Sequence, residues 1–255
     1  MDERTFDRPV ILVTGASRGI GAATARLAGA RGYAVAVNYC SNSDAAAKVV
    51  ADIRDGGGEA VAIRADVGAP EAVEALFAQV DERFGRLDAL VNNAGITLGR
   101  TAFLDIPPED FRRVIGVNLI GTIHCLRAAA ARMALSRGGF GGAIVNVSSE
   151  AGRFGGNRIS AYAASKGAVN ALTVGLAREL VADGIRLNAV SPSVIDTEPN
   201  FEPDPAKRQA LEAGLPMGRM GRPYEVAPRP SCGCSLGRPA TWSARWFRYP
   251  AGGNF

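Results

Sequence analysis

Histidine is almost missing from this chain: His124 is the one imidazole among 255 residues. That argues against a histidine-based catalytic triad and against the usual histidine-containing zinc sites. Cysteine is nearly as scarce. Cys40, Cys125, Cys232 and Cys234 are scattered apart from the last pair, so no disulfide framework is implied. Cys232 and Cys234 have metal-like spacing but no partner ligands, and no metal site is expected. Aromatic residues make up 7%. The expectation is that no apolar run reaches the ~18–20 residues that span a bilayer. Residues 1–9 are charged and lack the apolar centre of a secretory signal, so the expectation is a soluble, cytoplasmic protein without a membrane partner. The net charge of +4 comes from basic residues spread along the chain, which argues against nucleic acid. What the chain has is 47% hydrophobic residues and 31 glycines, enough for a large buried core with tight turns.

Val10–Thr14 reads as a short buried strand. It runs into Thr14-Gly-Ala-Ser-Arg-Gly-Ile-Gly21, which opens an Ala-rich helix closing near Gly32. A strand, a glycine turn and a helix N-terminus together suit a pyrophosphate, which backbone N–H groups and the helix dipole attract. Gly15 permits the turn, Gly19 lets phosphates approach and Gly21 lets helix pack on strand, with Ser17, Arg18 and Ile20 between them. The second strand, Tyr33–Tyr39, ends in Asn38, Tyr39, Cys40 and Ser41 without a carboxylate before Asp44. A carboxylate there would bind the adenosine ribose and repel a 2′-phosphate. Its absence, with Arg18 in the glycine turn able to reach a 2′-phosphate, leans toward NADP (NADPH) over NAD; the alternative for Arg18 is a solvated surface residue.

The alternation continues: helix 44–55, strand Glu59–Ala65, helix Glu71–Phe84, strand Leu87–Asn92, a mainly helical Pro107–Arg137, strand Ala143–Val147 and strand Ile185–Val190. This predicts an α/β fold, a Rossmann-type doubly wound parallel sheet with helices on both faces and strand order 3-2-1-4-5-6. Ligands then bind beyond the carboxyl ends of the strands. Asp66-Val67 suits an adenine edge or a helix cap. Asn92-Asn-Ala-Gly95 leaves room for a cofactor, and Asn118 in an apolar helix has a packing or capping duty. Residues 198–221 suggest a mobile lid.

Tyr162 and Lys166 lie four apart in the Ala-rich run Ser160–Lys166, so a helix puts phenol and ammonium on one face. A free phenol has a pKa near ~10, and a nearby fixed cation lowers it. Lowering it by ~3 units takes about 4 kcal/mol, at ~1.36 kcal/mol per unit.

TGASRGIG, NNAG, Asn118, Ser149 thirteen residues before Tyr162, YAASK and the loop SPSVIDT occur in one order and spacing. Together they resemble the short-chain dehydrogenase/reductase family over residues 9 to about 227. Within it the chain is most similar to the branch of 3-oxoacyl-carrier-protein reductases and glucose dehydrogenase-like enzymes. The resemblance implies an NAD(P)-dependent oxidoreductase acting on a ketone, 3-oxoacyl or sugar-like substrate. Tyr162 would be the general acid/base. Lys166 would tune it and bind the nicotinamide ribose, Ser149 would bind the substrate oxygen, and Asn118 would hold a relay water. Asn92, Ala94 and Gly95 would line the adenosine side, and Pro192, Ile195 and Thr197 the nicotinamide side. A homo-oligomer, dimer or tetramer, is the family's expectation.

Two departures stand out. Ser193 follows Pro192 where the family has glycine, which would strain a turn needing positive φ. Residues 1–227 read as one dehydrogenase domain, but 228–255 form an atypical tail with no helical or strand period, leaving a seventh strand doubtful and the sixth an open edge. The tail has the look of out-of-frame translation. Arg229–Ser235 written as CGG CCA TCC TGT GGC TGC TCT and read from the third letter gives Ala-Ile-Leu-Trp-Leu-Leu, an apolar helix. Two alternatives to an enzyme stay open: a nicotinamide-binding sensor or scaffold without turnover, and an inactive product of a damaged gene.

Overall fold

The computed structural model describes residues 8–198 and 204–227, with the backbone of Trp246–Arg248. Strands β1 (Val10–Val13), β2 (Ala34–Tyr39), β3 (Glu59–Arg64), β4 (Ala89–Asn92), β5 (Gly142–Val147) and β6 (Ile185–Ser191) form a parallel sheet in the order β3-β2-β1-β4-β5-β6. Leu12 stands beside Ala36 on one side and Leu90 on the other. Every residue of β1 is buried, because a central parallel strand is covered on both faces. Its alternate side chains feed two cores. Leu12 joins Phe77, Leu90, Leu126 and Ile144, while Ile11 and Val13 join Ala25, Val49 and Ile53.

Helices α1 (Gly19–Gly29) and α2 (Ser43–Asp55) supply the second core, and α3 (Pro70–Phe84) the first. Local chemistry sets their ends. Asn42 caps α2 by accepting from the Ala45 amide, Pro70 starts α3, and Gly85 at φ 71° stops it. The long helical stretch divides into α4 (Pro108–Ile115), a π-helical turn (Gly116–Ile120) and α5 (Gly121–Met133). Taken together, Pro108–Met133 has a window of mean hydropathy 1.5, long and apolar enough to cross a bilayer by length and composition. This corrects the expectation that no such stretch exists. Here α5 packs against α3 and α4 against the later helix α7, so apolarity serves internal contacts. Then come α6 (Ala151–Phe154), α7 (Ser160–Leu180), α8 (Pro205–Ala213) and α9 (Pro223–Val226). Helix α8 occupies the segment read as a lid, of which 199–203 lie outside the described residues.

Two expectations change. A short seventh strand, β7 (Trp246–Arg248), pairs parallel with Ala189–Ser191, so β6 is covered at its carboxyl end rather than open along its length. Backbone hydrogen bonding needs no side-chain period, which is why the sequence pattern did not show it. The rest of the tail, including Cys232, Cys234 and Trp242, lies outside the described residues. Ser193 carries no left-handed strain, because the positive-φ non-glycine residue among those described is Arg158, at 61°.

Candidate active site

The turn after β1 is shaped by missing atoms. Gly15 has φ 60°, and a Cβ there would stand 2.9 Å from the Ala94 Cα. A Cβ on Gly21 would stand 2.5 Å from the Gly15 carbonyl oxygen. Neighbouring strands hold this turn. Asn38 Oδ1 accepts from the Gly15 amide at 3.1 Å, and its Nδ2 donates to the carbonyls of Ile63 and Ala65. Asn93 Nδ2 donates to the carbonyls of Thr14 and Gly15, while Thr14 Oγ1 accepts from the amides of Asn93 and Ala94. Helix α1 begins at Gly19 with neither a side-chain cap nor an acidic residue in its first turn. Its first amides and the positive end of its dipole are therefore suited to an anion. A narrow, glycine-shaped cradle with uncapped donors fits a dinucleotide pyrophosphate.

Several residues read as cofactor contacts have other duties here. Asn38 is 1% exposed and its amide is committed to bracing the turn. Asn92 is buried and donates to Asn146 Oδ1 at 3.0 Å, and Asn146 donates to Thr173, a polar chain inside the core. Ala94 and Gly95 remain at the site, joined by Asn93. Asp66 is exposed, and its Oδ1 accepts from the Gly68 amide, which makes it a turn former. The cap position of α3 belongs to Ala69. Val67 is buried against Gly121. Tyr39 is half-buried, and beside it Arg64 Nε donates to the Cys40 carbonyl. Ser17 and Ile20 are half-buried within the turn, whereas the Arg18 guanidinium forms an exposed ion pair with Glu198.

Glu198 arrives on the loop leaving β6. There Thr197 packs on the glycine turn, its Cγ2 3.3 Å from where a Cβ of Gly19 would stand. Ile195 is buried and pairs with Gly221, while the Pro192 carbonyl accepts from the Glu150 amide. The loop thus closes over the turn from the opposite side.

At the end of β5 and on α7 the site is made of side chains. Tyr162 and Lys166 share a face of α7, with Nζ 5.7 Å from the phenol ring centre. Lys166 is 4% exposed, and its Nζ donates to the Val147 carbonyl at 2.7 Å. Burial pushes its pKa down to about 8. Burial pushes the Tyr162 phenol up from its ordinary value, and a hydrogen bond with Ser149 opposes that rise. The amine by itself does not lower the phenol here; the expected lowering draws on a bound cationic cofactor ring as well. A low-dielectric site disfavours phenolate and ammonium alike. Asn118, fully buried in the π turn, accepts from the Ile96 amide at 2.8 Å and donates to the Ile96 carbonyl and to Ser165 Oγ. It ties the chain after β4 to α7. A π turn at such a position is common at functional sites. The Asn118 Oδ1 and the Lys166 Nζ lie 3.3 and 3.6 Å from where a Cβ of Gly95 would stand, so carbonyl and amine converge above that glycine.

The glycine turn, the Ile195–Thr197 loop, Ser149 and the Tyr162 face all lie at the carboxyl ends of β1, β6, β5 and their neighbours. Sequence reasoning missed Thr14, Asn93, the Val147 carbonyl and Ser165. Thr14, Asn93 and Ser165 stood inside the motifs already singled out.

The family model for short chain dehydrogenase matches residues 9–206. An uncharacterized oxidoreductase of Escherichia coli, YgfF, is 45% identical over 86% of this chain and 89% of its own. A 3-oxoacyl-[acyl-carrier-protein] reductase of Synechocystis is 41% identical over 86% and 85%. An L-rhamnose 1-dehydrogenase (NAD(P)(+)) of Sphingomonas is 41% identical over 88% of each chain. Among solved structures, a dehydrogenase/reductase from Sinorhizobium meliloti superposes with TM-score 0.79 at 37% identity, covering 86% of this chain and 84% of its own.

Proposed function

The chain belongs to the short-chain dehydrogenase family, whose members are oxidoreductases, and from that premise we propose that it transfers hydride between NADP and a carbonyl or secondary alcohol, with Tyr162 as general acid/base. The observation that carries this is the Ser149–Tyr162–Lys166 arrangement: a half-buried phenol facing Ser149, one helical turn from a buried amine that reaches Gly95, next to Ala94 against the uncapped glycine turn.

Tyr162 gives its hydroxyl proton to the substrate oxygen in reduction, or takes the alcohol proton in oxidation. With substrate bound, Ser149 turns its single hydroxyl proton from the Tyr162 oxygen to the substrate oxygen and stabilises the charge that develops there. Lys166, with a pKa near 8, holds or releases a proton close to neutral pH. It can thus restore the Tyr162 proton without a charge being buried permanently. Asn118 fixes the geometry by clamping Ile96 against α7. The nicotinamide, when bound, supplies or accepts the hydride. NADP is favoured over NAD because β2 ends without a carboxylate and the Arg64 guanidinium stands at that corner, while Arg18, in the glycine turn, is held by Glu198 and would have to leave it to reach a 2′-phosphate.

The test is cofactor consumption by the purified chain with simple ketones, 3-oxoacyl thioesters and sugars, using NADPH and NADH in parallel. Turnover with a clear NADPH advantage is expected. Tight NADPH binding without turnover on any substrate would favour a sensor. A chain that neither folds nor binds cofactor would mark a damaged gene product.

A further inference from the structure

Beside Tyr162 a cleft is walled by residues 97–101 after β4, by α4, and by Arg158–Tyr162 at the start of α7. Asp110 and Arg158 both line it, yet they form no ion pair with each other or with any described residue. Ser160 Oγ, also in its wall, is buried without a hydrogen-bond partner. Thr97 and Thr101 add two hydroxyls. The neighbouring Arg153 is occupied differently, lying over the Phe154 ring at 4.9 Å. Arg158 also sits at φ 61°, where glycine would be unstrained, so its side chain is present despite a backbone cost. Its carbonyl accepts from the Thr101 amide at 2.9 Å and ties two walls of the cleft together.

A carboxylate only accepts hydrogen bonds and a guanidinium only donates them, whereas a hydroxyl does both. Leu98, Ile106, Val114 and Ile159 also line the cleft, and the carbon skeleton of an acyl chain or of a sugar can rest on them. An acyl chain would leave Asp110, the buried Ser160 hydroxyl and the threonines facing it unsatisfied. A row of substrate hydroxyls would satisfy all. We infer that this cleft reads hydroxyl groups adjoining the reacting carbon, so that the substrate is a polyhydroxylated carbonyl compound or alcohol of the sugar type. Asp110 and Arg158 are then its specificity-determining residues. This rests on the hydride-transfer reading of Tyr162.

The test compares kcat/KM for a panel of aldoses and cyclohexanol oxidised with NADP⁺, and for a 3-oxoacyl thioester reduced with NADPH, in the parent chain, Asp110→Ala and Arg158→Gly. Glycine relieves the strained backbone, so lost folding cannot account for its effect. The best aldose is expected to exceed cyclohexanol by at least about 10-fold in the parent, and each variant to erode that ratio about 10-fold through KM. Cyclohexanol or the thioester exceeding every aldose would overturn the inference, as would variants that slow all substrates by one common factor. Failure of every substrate would instead sink the hydride-transfer reading. Titration of the aldose panel into the NADPH-saturated chain then decides the cleft alone: binding weakened by Arg158→Gly supports it, and no binding overturns it.

Discussion

The turn at the end of β1 and the Tyr162 face of α7 both lie at the carboxyl end of the sheet, but one presents backbone and the other side chains. Around Gly15 and Gly21 function requires that nothing protrude, and the polar side chains nearby, Asn38, Asn93 and Thr14, are spent bracing the main chain. Around Tyr162 side chains are what the site presents, and the backbone holds the amine and the amide through the Val147 and Ile96 carbonyls. Binding of a cofactor depends on space and unpaired N–H groups. Proton transfer depends on titratable groups kept out of water.

That contrast can be broken by one substitution on each side. Tyr162→Phe removes the proton donor and leaves the glycine turn untouched. We expect turnover to fall by about 10²–10⁴-fold with NADPH affinity near the parent value, measured by initial rates and cofactor titration. Retained turnover would show that the proton comes from elsewhere. Gly15→Ala should do the reverse. A methyl group forced into a left-handed position against Ala94 costs about 1–3 kcal/mol, read as roughly 10–100-fold weaker NADPH binding, while kcat at saturating cofactor stays close to parent. Equal loss in kcat would mean the two regions are not separable.

A pH titration sharpens the side-chain half. Lys166 releases its proton near pH 8 when folded and near 10.5 when unfolded. Between those values the unfolded chain binds the extra proton, so stability rises with pH, and below pH 8 the burial cost is fully present. From pH 8 to 10 the parent should gain roughly 2–3 kcal/mol relative to Lys166→Met, at ~1.36 kcal/mol per unit. Denaturant melts at several pH values would show it, and parallel curves would refute a depressed amine. The smallest effect is expected on the binding half. Glu198→Gln frees Arg18, and because that ion pair is exposed the gain in NADPH affinity should be at most about fivefold. It should vanish at high salt and be absent for NADH.

The alternation of strands and helices was legible because parallel strands buried on both faces read as continuous apolar runs, VILV in β1 being the clearest. The proximity of Tyr162 and Lys166 was legible because residues four apart on a helix must share a face. Other assignments depended on distant neighbours. Whether Asn38 or Asn92 meets a ligand turns on where Ile63 and Asn146 lie, and Arg18 met a carboxylate, Glu198, from the far end of the chain. The π turn that sets Asn118 against Ser165 has no residue pattern of its own.

By itself the order of amino acids determined the sheet, the glycine turn and the Tyr162–Lys166 spacing, because local sterics and helical period act over a few residues. Tertiary structure alone decided which polar groups are braces and which are free, and in which direction burial moves the pKa values of Tyr162 and Lys166. Desolvation is a property of everything packed around a group, and those atoms come from strands and helices far away along the chain.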